Sequence, residues 1–307
     1  MSEPSRSGER AITVRRMDFH LPEQLDPIVL EGRPEESYIF LGISLLLPYL
    51  EPYLIRTMRE AKARVTDPAL VTDLERFNGQ EGQHYRQHTR FNEVIRPTSL
   101  AALTALEAEV DADYRRYTAT RSLRFNLAYA EGFEAFTTAI ARFSLEIRQF
   151  DGVHPAVRDL FQWHLIEELE HRTVAFDVYN HVCRGYVYRL AVGLFAQWHL
   201  NQFALRAAGI MQDADPEAFR KKWGGPRAAF ARLRPFLWQA LRLFFPKLLA
   251  TYLPWYTPTR SPCRPRRRSW PSASPRWLCR RPTPRRAPDR AGPARGDTDL
   301  PGAASRA

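Results

Sequence analysis

Between residues 35 and 257 the apolar positions recur at intervals of three and four, the spacing of one helix face, and no stretch sustains the alternation of a half-buried strand. The pattern predicts an all-α chain. From about Glu35, "EESYIFLGISLLLPYLEPYLIRTMREAKARV" is apolar on one side and ends in bases, as a helix C-terminus prefers; Pro48 and Pro52 should kink or divide it. "TDPAL" then starts a second helix, about 68 to 94, with Asp67 as N-cap and Pro68 at the first helical position. It should stop before Arg96-Pro97, after which Ser99 can cap a third helix, 100 to 118, whose acidic exposed side suits a crossover. A fourth runs from about 121 to 149, and a fifth starts near Pro155 and reaches about Gly185. Beyond an apolar stretch at 186 to 210, "DADPEAF" caps a further helix, "KKWGGP" breaks it, and 226 to 253 forms the last.

Composition changes this picture only at the ends. Residues 1 to 34 read as an extended, Pro-containing arm, and 35 to 257 as the helical domain. From 258 to 307 the chain holds thirteen Arg, no Lys, three Asp and ten Pro, which cannot build a packed core, so this tail is expected to be disordered. It accounts for +10 of the formal charge of +11. The helical part is therefore nearly neutral, and no specific nucleic-acid partner is expected. Cys183, Cys263 and Cys279 form neither a paired framework nor a C-x-x-C knuckle, in keeping with a reducing compartment. The N-terminus lacks the apolar run of a secretory signal, and no segment reaches about 18 uninterrupted apolar residues, so a cytoplasmic location is expected. Residues 186 to 210 and 235 to 256, each interrupted by polar side chains, fit buried or interfacial helices.

The chemistry is concentrated in "WHLIEELEH", residues 163 to 171, where three Glu and two His occur with no base before Arg172. An ordinary surface helix would alternate the signs at such spacing. His164, Glu168 and His171 share one face at i, i+4 and i+7, while Glu167 and Glu170 should point elsewhere. "EGQH" repeats the Glu-x-x-His spacing at Glu81 and His84 on a different helix. The helix before each motif carries acid among large apolar residues: Glu51 in "LLLPYLEPYLI", and Glu131 and Glu134 in "LAYAEGFEAFTTAI". A carboxylate there is costly to bury unless neutralised, paired or bound to metal. In order the chain reads Glu, Glu-x-x-His, crossover, Glu, Glu-x-x-His, the set by which four-helix bundles hold two iron or manganese ions. Carboxylates bridge hard cations, and few imidazoles leave positions open for dioxygen or water. Blander roles stand beside these: Glu51 paired with Arg56 or Arg59, Glu131 beside the site or facing solvent, His88 as a hydrogen-bonding neighbour, and His20, His154, His181 and His199 as structural or exposed. Tyr85, Tyr129 and Tyr179 belong near the site or in the core.

The blocks "LLPYLEPYLIR", "EGQHYRQH", "EGFEAFTTAI" and "WHLIEELEHRTVAFDVY" resemble the bacterial family of predicted metal-dependent hydrolases, within the ferritin-like di-metal superfamily, over about residues 12 to 250. The resemblance implies a ferritin-like four-helix bundle with additional C-terminal helices. It takes Glu134, before Ala135-Phe136-Thr137, as ligand over Glu131. The His-x-x-x-Glu-x-x-His form of the last block is more distantly similar to the di-iron arylamine N-oxygenases, in which an additional histidine is a third ligand to one iron. The implied metal set is Glu51, Glu81, His84, Glu134, His164, Glu168 and His171, with Glu81 and Glu168 bridging two ions: iron, with manganese or zinc as alternatives. The expected activity is an oxidation of a small or hydrophobic molecule using dioxygen; hydrolysis of an ester or amide, or iron storage without catalysis, are the alternatives. A homodimer and a peripheral membrane contact are the further partner expectations.

Overall fold

The computed structural model describes residues 12–95 and 101–258; the expected Ser99 cap and the Arg/Pro-rich tail lie outside the described residues. Four long helices form the core: α1 (Pro34–Lys62), α2 (Pro68–Ile95), α4 (Leu123–Glu146) and α5 (Pro155–His171). α1 packs along α2 and α4 along α5, and contacts between α1 and α4 and between α2 and α5 close the square. α3 (Ala101–Thr120) crosses over and lies against α1 and α7 (Tyr186–Gln212), which itself covers both α1 and α4. No strand occurs among the described residues, as an all-α chain requires.

Local chemistry sets the helix starts. Asp67 Oδ1 accepts from the Ala69 amide at 2.8 Å, Ser122 Oγ from Phe125 at 3.3 Å, and Asp215 Oδ1 from Ala218 at 2.9 Å, each satisfying an orphan donor of a first turn. α1 is not divided at Pro48 or Pro52. Pro48 has no N–H for the Ser44 carbonyl four residues back, but the Asn92 side-chain amide donates to that carbonyl at 2.8 Å. Tertiary contact supplies the missing donor, so the helix continues. α1 is also long and apolar enough to cross a membrane, yet 67% of its most apolar window is buried inside the bundle and it carries Glu51.

Two single helices expected from the sequence are interrupted. The stretch from Pro155 to Gly185 stops at His171 and resumes as α6 (Val174–Val182), with Thr173 between them at φ −92° and ψ −22°, on the edge of the helical region. The last helix is split into α9 (Pro226–Gln239), a π turn (Ala240–Phe244) and α10 (Phe245–Ala250); Pro246 cannot donate to Arg242, and the wider turn absorbs the lost bond. Between them α8 (Pro216–Trp223) is closed by Gly224 at φ +81°.

α7 comes very near to the core. A Cβ on Gly132 would stand 2.1 Å from the Gly193 Cα, so this crossing of α4 and α7 needs glycine. Beside it an aromatic layer fills the space among α1, α3, α4 and α7. Tyr53 stacks on Tyr114 at 5.0 Å, and their hydroxyls are satisfied by Asn126 at 2.9 Å and Tyr129 at 3.1 Å. Tyr129 also bonds His199, at 2.8 Å.

Candidate metal centre

Glu51 comes from α1, Glu81 and His84 from α2, Glu134 from α4, and His164, Glu168 and His171 from α5. All seven are buried, His164 being the most open at 7%. Helical spacing does the local work: i, i+3 and i+4 put Glu81 with His84, and His164 with Glu168 and His171, on single inward stripes. The bundle then turns the four stripes toward one point. His171 Nε2 lies 3.3 Å from Glu81, 3.3 Å from Glu134 and 3.6 Å from Glu168. His84 Nδ1 lies 3.6 Å from Glu81 and 3.8 Å from Glu168, and His164 Nε2 lies 3.1 Å from Glu168. Glu81 and Glu168 thus each stand between His84 and His171.

Most of the donor atoms are unsatisfied within the protein. Both carboxylate oxygens of Glu51, Glu81 and Glu134, Oε2 of Glu168, Nδ1 of His84 and Nε2 of His171 are buried and make no hydrogen bond. Leaving that many polar atoms unpaired in a core is rare, because each forfeits its hydration. Three groups of donors can each surround one ion: Glu51, His84 and His164; Glu81, His84 and Glu168; Glu81, Glu134 and His171. In each, the facing atoms lie within 4.8 Å of one another. Oxygen and imidazole donors without thiolate suit iron, manganese or zinc.

The outer faces of the histidines are fully engaged, in a way that aims their lone pairs inward. His84 Nε2 meets the Glu167 carboxylate at 3.1 Å, so it carries the proton and leaves Nδ1 facing the centre. His171 Nδ1 meets Gln80 Oε1 at 3.0 Å. Gln80 is oriented by its own amide nitrogen, which donates to Glu170 at 3.0 Å and to the Thr13 carbonyl at 3.2 Å. Arg15, on the N-terminal arm, joins the two sides: it donates to Glu167 at 2.8 Å and to Glu170 at 2.6 and 2.8 Å. One guanidinium therefore braces the carboxylate behind His84 and, through Gln80, the amide behind His171. Partners of this kind orient metal-bound imidazoles and raise their basicity.

Electrostatics reflect the crowding of acids. Burial, then the neighbouring Glu81, Glu168 and Glu134, drives the Glu51 carboxyl well above its ordinary range. Burial likewise pushes Glu134 up to about 8, with Glu168 adding to it and His171 opposing. Burial would also raise Glu168, but His171 and His164 outweigh it and hold that carboxylate well below its ordinary value. For His84, burial favours the neutral ring, yet Glu167 and Glu81 win and lift it to about 9; against the same effect of burial, Glu168 and Glu134 raise His171. Protons thus balance the acids when no cation does.

Other sequence readings find different places. Glu51 is not paired with Arg56 or Arg59; its oxygens face the centre. Glu131 is buried but turned to α7, where it pairs with Arg189. His88 is a hydrogen-bonding neighbour, 2.9 Å from His164. His154 caps α5 and His181 bonds Thr66. Tyr129 belongs to the aromatic layer, and Tyr179 closes the turn after α6 through the Arg184 and Gly185 carbonyls. Glu167 and Glu170 lie off the inward stripe, yet they back the chemistry from outside. The sequence offered no signal for Arg15, more than 150 positions before them. A cavity of about 520 Å³ between α3 and α7, lined by Tyr117, Trp198, His199 and Arg206, contains none of the seven residues.

No curated protein and no solved structure matches the chain. The model of one family, described as predicted metal-dependent hydrolase, matches residues 13–262, a span that holds every donor of the centre, and the chain belongs to that family.

Proposed function

We propose that the protein is an enzyme whose centre holds two divalent metal ions, most readily iron, and oxidises a small or hydrophobic substrate with dioxygen. The observation that carries this reading is the match of charge and donors: four buried carboxylates balance two dications, and most of the inward nitrogens and oxygens are otherwise unsatisfied. Glu81, His84 and Glu168 on one side and Glu81, Glu134 and His171 on the other would hold the pair, with Glu51 and His164 completing the first ion's set. Bound there, two such ions supply Lewis acidity and, if iron, electrons for dioxygen. The chain's own contribution is to fix the donors, to keep bulk water out of a site whose ligands are at most 7% exposed, and to hold protons on Glu134, His84 and His171 that would leave as cations enter. Burial favours small apolar co-substrates over water, which supports oxidation. Hydrolysis of an ester or amide by a metal-activated water is the second reading, favoured by the family's own description.

The test is anaerobic purification with metal analysis, followed by optical spectra before and after air. About two irons per chain and a new absorption on exposure to air are expected. Two zinc ions with no spectral response would move the assignment to hydrolysis, and no stoichiometric metal would remove both readings.

A further inference from the structure

We propose that Asn92, Ser44 and His88 form a positioning relay that fixes a proton on His164 Nδ1, so that Nε2 is the nitrogen it turns to the centre. The inference rests on the metal-binding reading above for its purpose, but not for its geometry. Every polar member of the chain is buried: Ser44 and His88 are fully enclosed, Asn92 is 8% exposed and His164 7%. The order of protons follows from one fixed point. Pro48 leaves the Ser44 carbonyl without a helical donor, and only the NH2 end of Asn92 can serve it, at 2.8 Å. That sets the Asn92 amide, so its Oδ1 faces the Ser44 hydroxyl, 2.6 Å away, and must accept from it. With its only proton committed, Ser44 Oγ can only accept from His88 Nδ1, at 2.8 Å. His88 Nε2 is then the unprotonated nitrogen of a neutral ring, and accepts from His164 Nδ1 at 2.9 Å. His164 Nε2 is then the nitrogen turned to the centre, within the donor group formed with Glu51 and His84; while no cation is present it lies at hydrogen-bond distance, 3.1 Å, from the Glu168 carboxylate.

Each link has one direction because the preceding proton is already assigned. Reversal at any point would strip His164 Nδ1 of its hydrogen and leave Nε2–H as the tautomer of the neutral ring, which is blocked as a ligand. The proline in the middle of α1 thereby acquires a use: it frees the carbonyl that anchors the relay.

The experiment uses the full chain, stripped of metal and labelled with ¹⁵N at histidine, and reads the His88 and His164 tautomers from long-range proton–nitrogen correlations near pH 7. Titration with Co(II) and urea unfolding accompany it. In the wild type both rings should carry hydrogen on Nδ1. Asn92→Leu removes the acceptor for Ser44, so His164 should show the Nε2–H tautomer as a substantial or dominant form, and affinity for one of the bound Co(II) ions should fall by about ten- to a hundredfold. Asn92→Asp, which still accepts from Ser44, should keep the wild-type tautomers and most of the affinity. Because Asn92→Leu could lower stability, the Asp variant and a Ser44→Ala variant are read with it. A purely structural role would change urea midpoints without moving the tautomers. A wild-type His164 without hydrogen on Nδ1, or unchanged tautomers in both Asn92→Leu and Ser44→Ala, overturns the relay. Failure of the wild type to bind Co(II) overturns the metal reading instead, while the tautomers still decide the relay.

Discussion

Replacing Glu134 by Gln should make the metal-free protein more stable while removing its ability to load the centre. Glu134 is raised from 4.5 to about 8 in the folded protein, chiefly by burial and then by Glu168. A carboxyl with a raised folded value is destabilising once pH exceeds its unfolded value, because the fold must either hold the proton or bear the buried charge. The cost is absent below about pH 4.5, grows to about pH 8 and is constant above. At about 1.4 kcal/mol per pH unit it reaches about 3 kcal/mol at pH 7. Glutamine keeps the shape and carries no charge, so the metal-free variant should gain about 2–3 kcal/mol at pH 7, or about 5–10 °C in Tm for a domain of this size. Urea unfolding of the metal-free wild type and variant at pH 5, 7 and 8 reads the difference, which should fall below about 1 kcal/mol at pH 5. In parallel, Fe(II) or Co(II) stoichiometry should fall in the variant, since Glu134 belongs to a donor group with Glu81 and His171. An advantage that is absent, or that shrinks as pH rises, would refute the reasoning.

Two further outcomes follow from the surroundings of the site. Arg15→Ala deprives the fully buried Glu167 and the nearly buried Glu170 of their cation; with the guanidinium itself 25% exposed, a stability loss of about 2 kcal/mol is expected, less than for a fully buried pair. Metal affinity should drop about ten- to a hundredfold in a competition titration with a chelator, and an unchanged affinity would show that the brace does not reach the histidines. At the α4–α7 crossing, Gly132→Ala should cost about 3 kcal/mol or more and clearly more than Gly193→Ala, since the added Cβ meets backbone at 2.1 Å in the first and 3.1 Å in the second. Urea midpoints of equal size for the two variants would contradict so close an approach of the helices.

The seven inward residues could be found in the sequence because helix periodicity is local. Once Glu81 and His84, or His164, Glu168 and His171, share a turn, their common face needs no tertiary knowledge. The acids in apolar company, Glu51 and Glu134, are conspicuous for their cost. The relation of Glu131 to Glu134 is not legible in the same way: both are buried on α4, and only the position of α7, with Arg189, gives Glu131 another partner. The outer supports are still less visible. Arg15, Gln80, Ser44 and Asn92 are ordinary polar residues in sequence, and their roles depend on contacts across as many as 155 positions. Glu167 and Glu170 escape a reading of helix faces that equates pointing away from a centre with having no part in it. The break after His171 and the π turn before Pro246 depend on backbone angles that an apolar pattern does not encode.

On the proposed reading, loading this centre would be an exchange of cations, and the same side chains would govern both halves of it. In the metal-free state His84, at about 9, and Glu134, at about 8, hold protons at neutral pH against the remaining carboxylates. Two dications entering the donor groups would have to displace those protons, so affinity should fall as pH is lowered through that range. The outer bonds to Glu167 and Gln80 keep their own protons throughout, because they sit on the opposite ring nitrogens. Proton release and ligand orientation are therefore separated on each imidazole: the inward nitrogen exchanges hydrogen for metal, and the outward one holds the ring still. That division explains why so much buried polarity is spent behind the histidines, and why weakening the supports should reduce affinity without altering which residues bind.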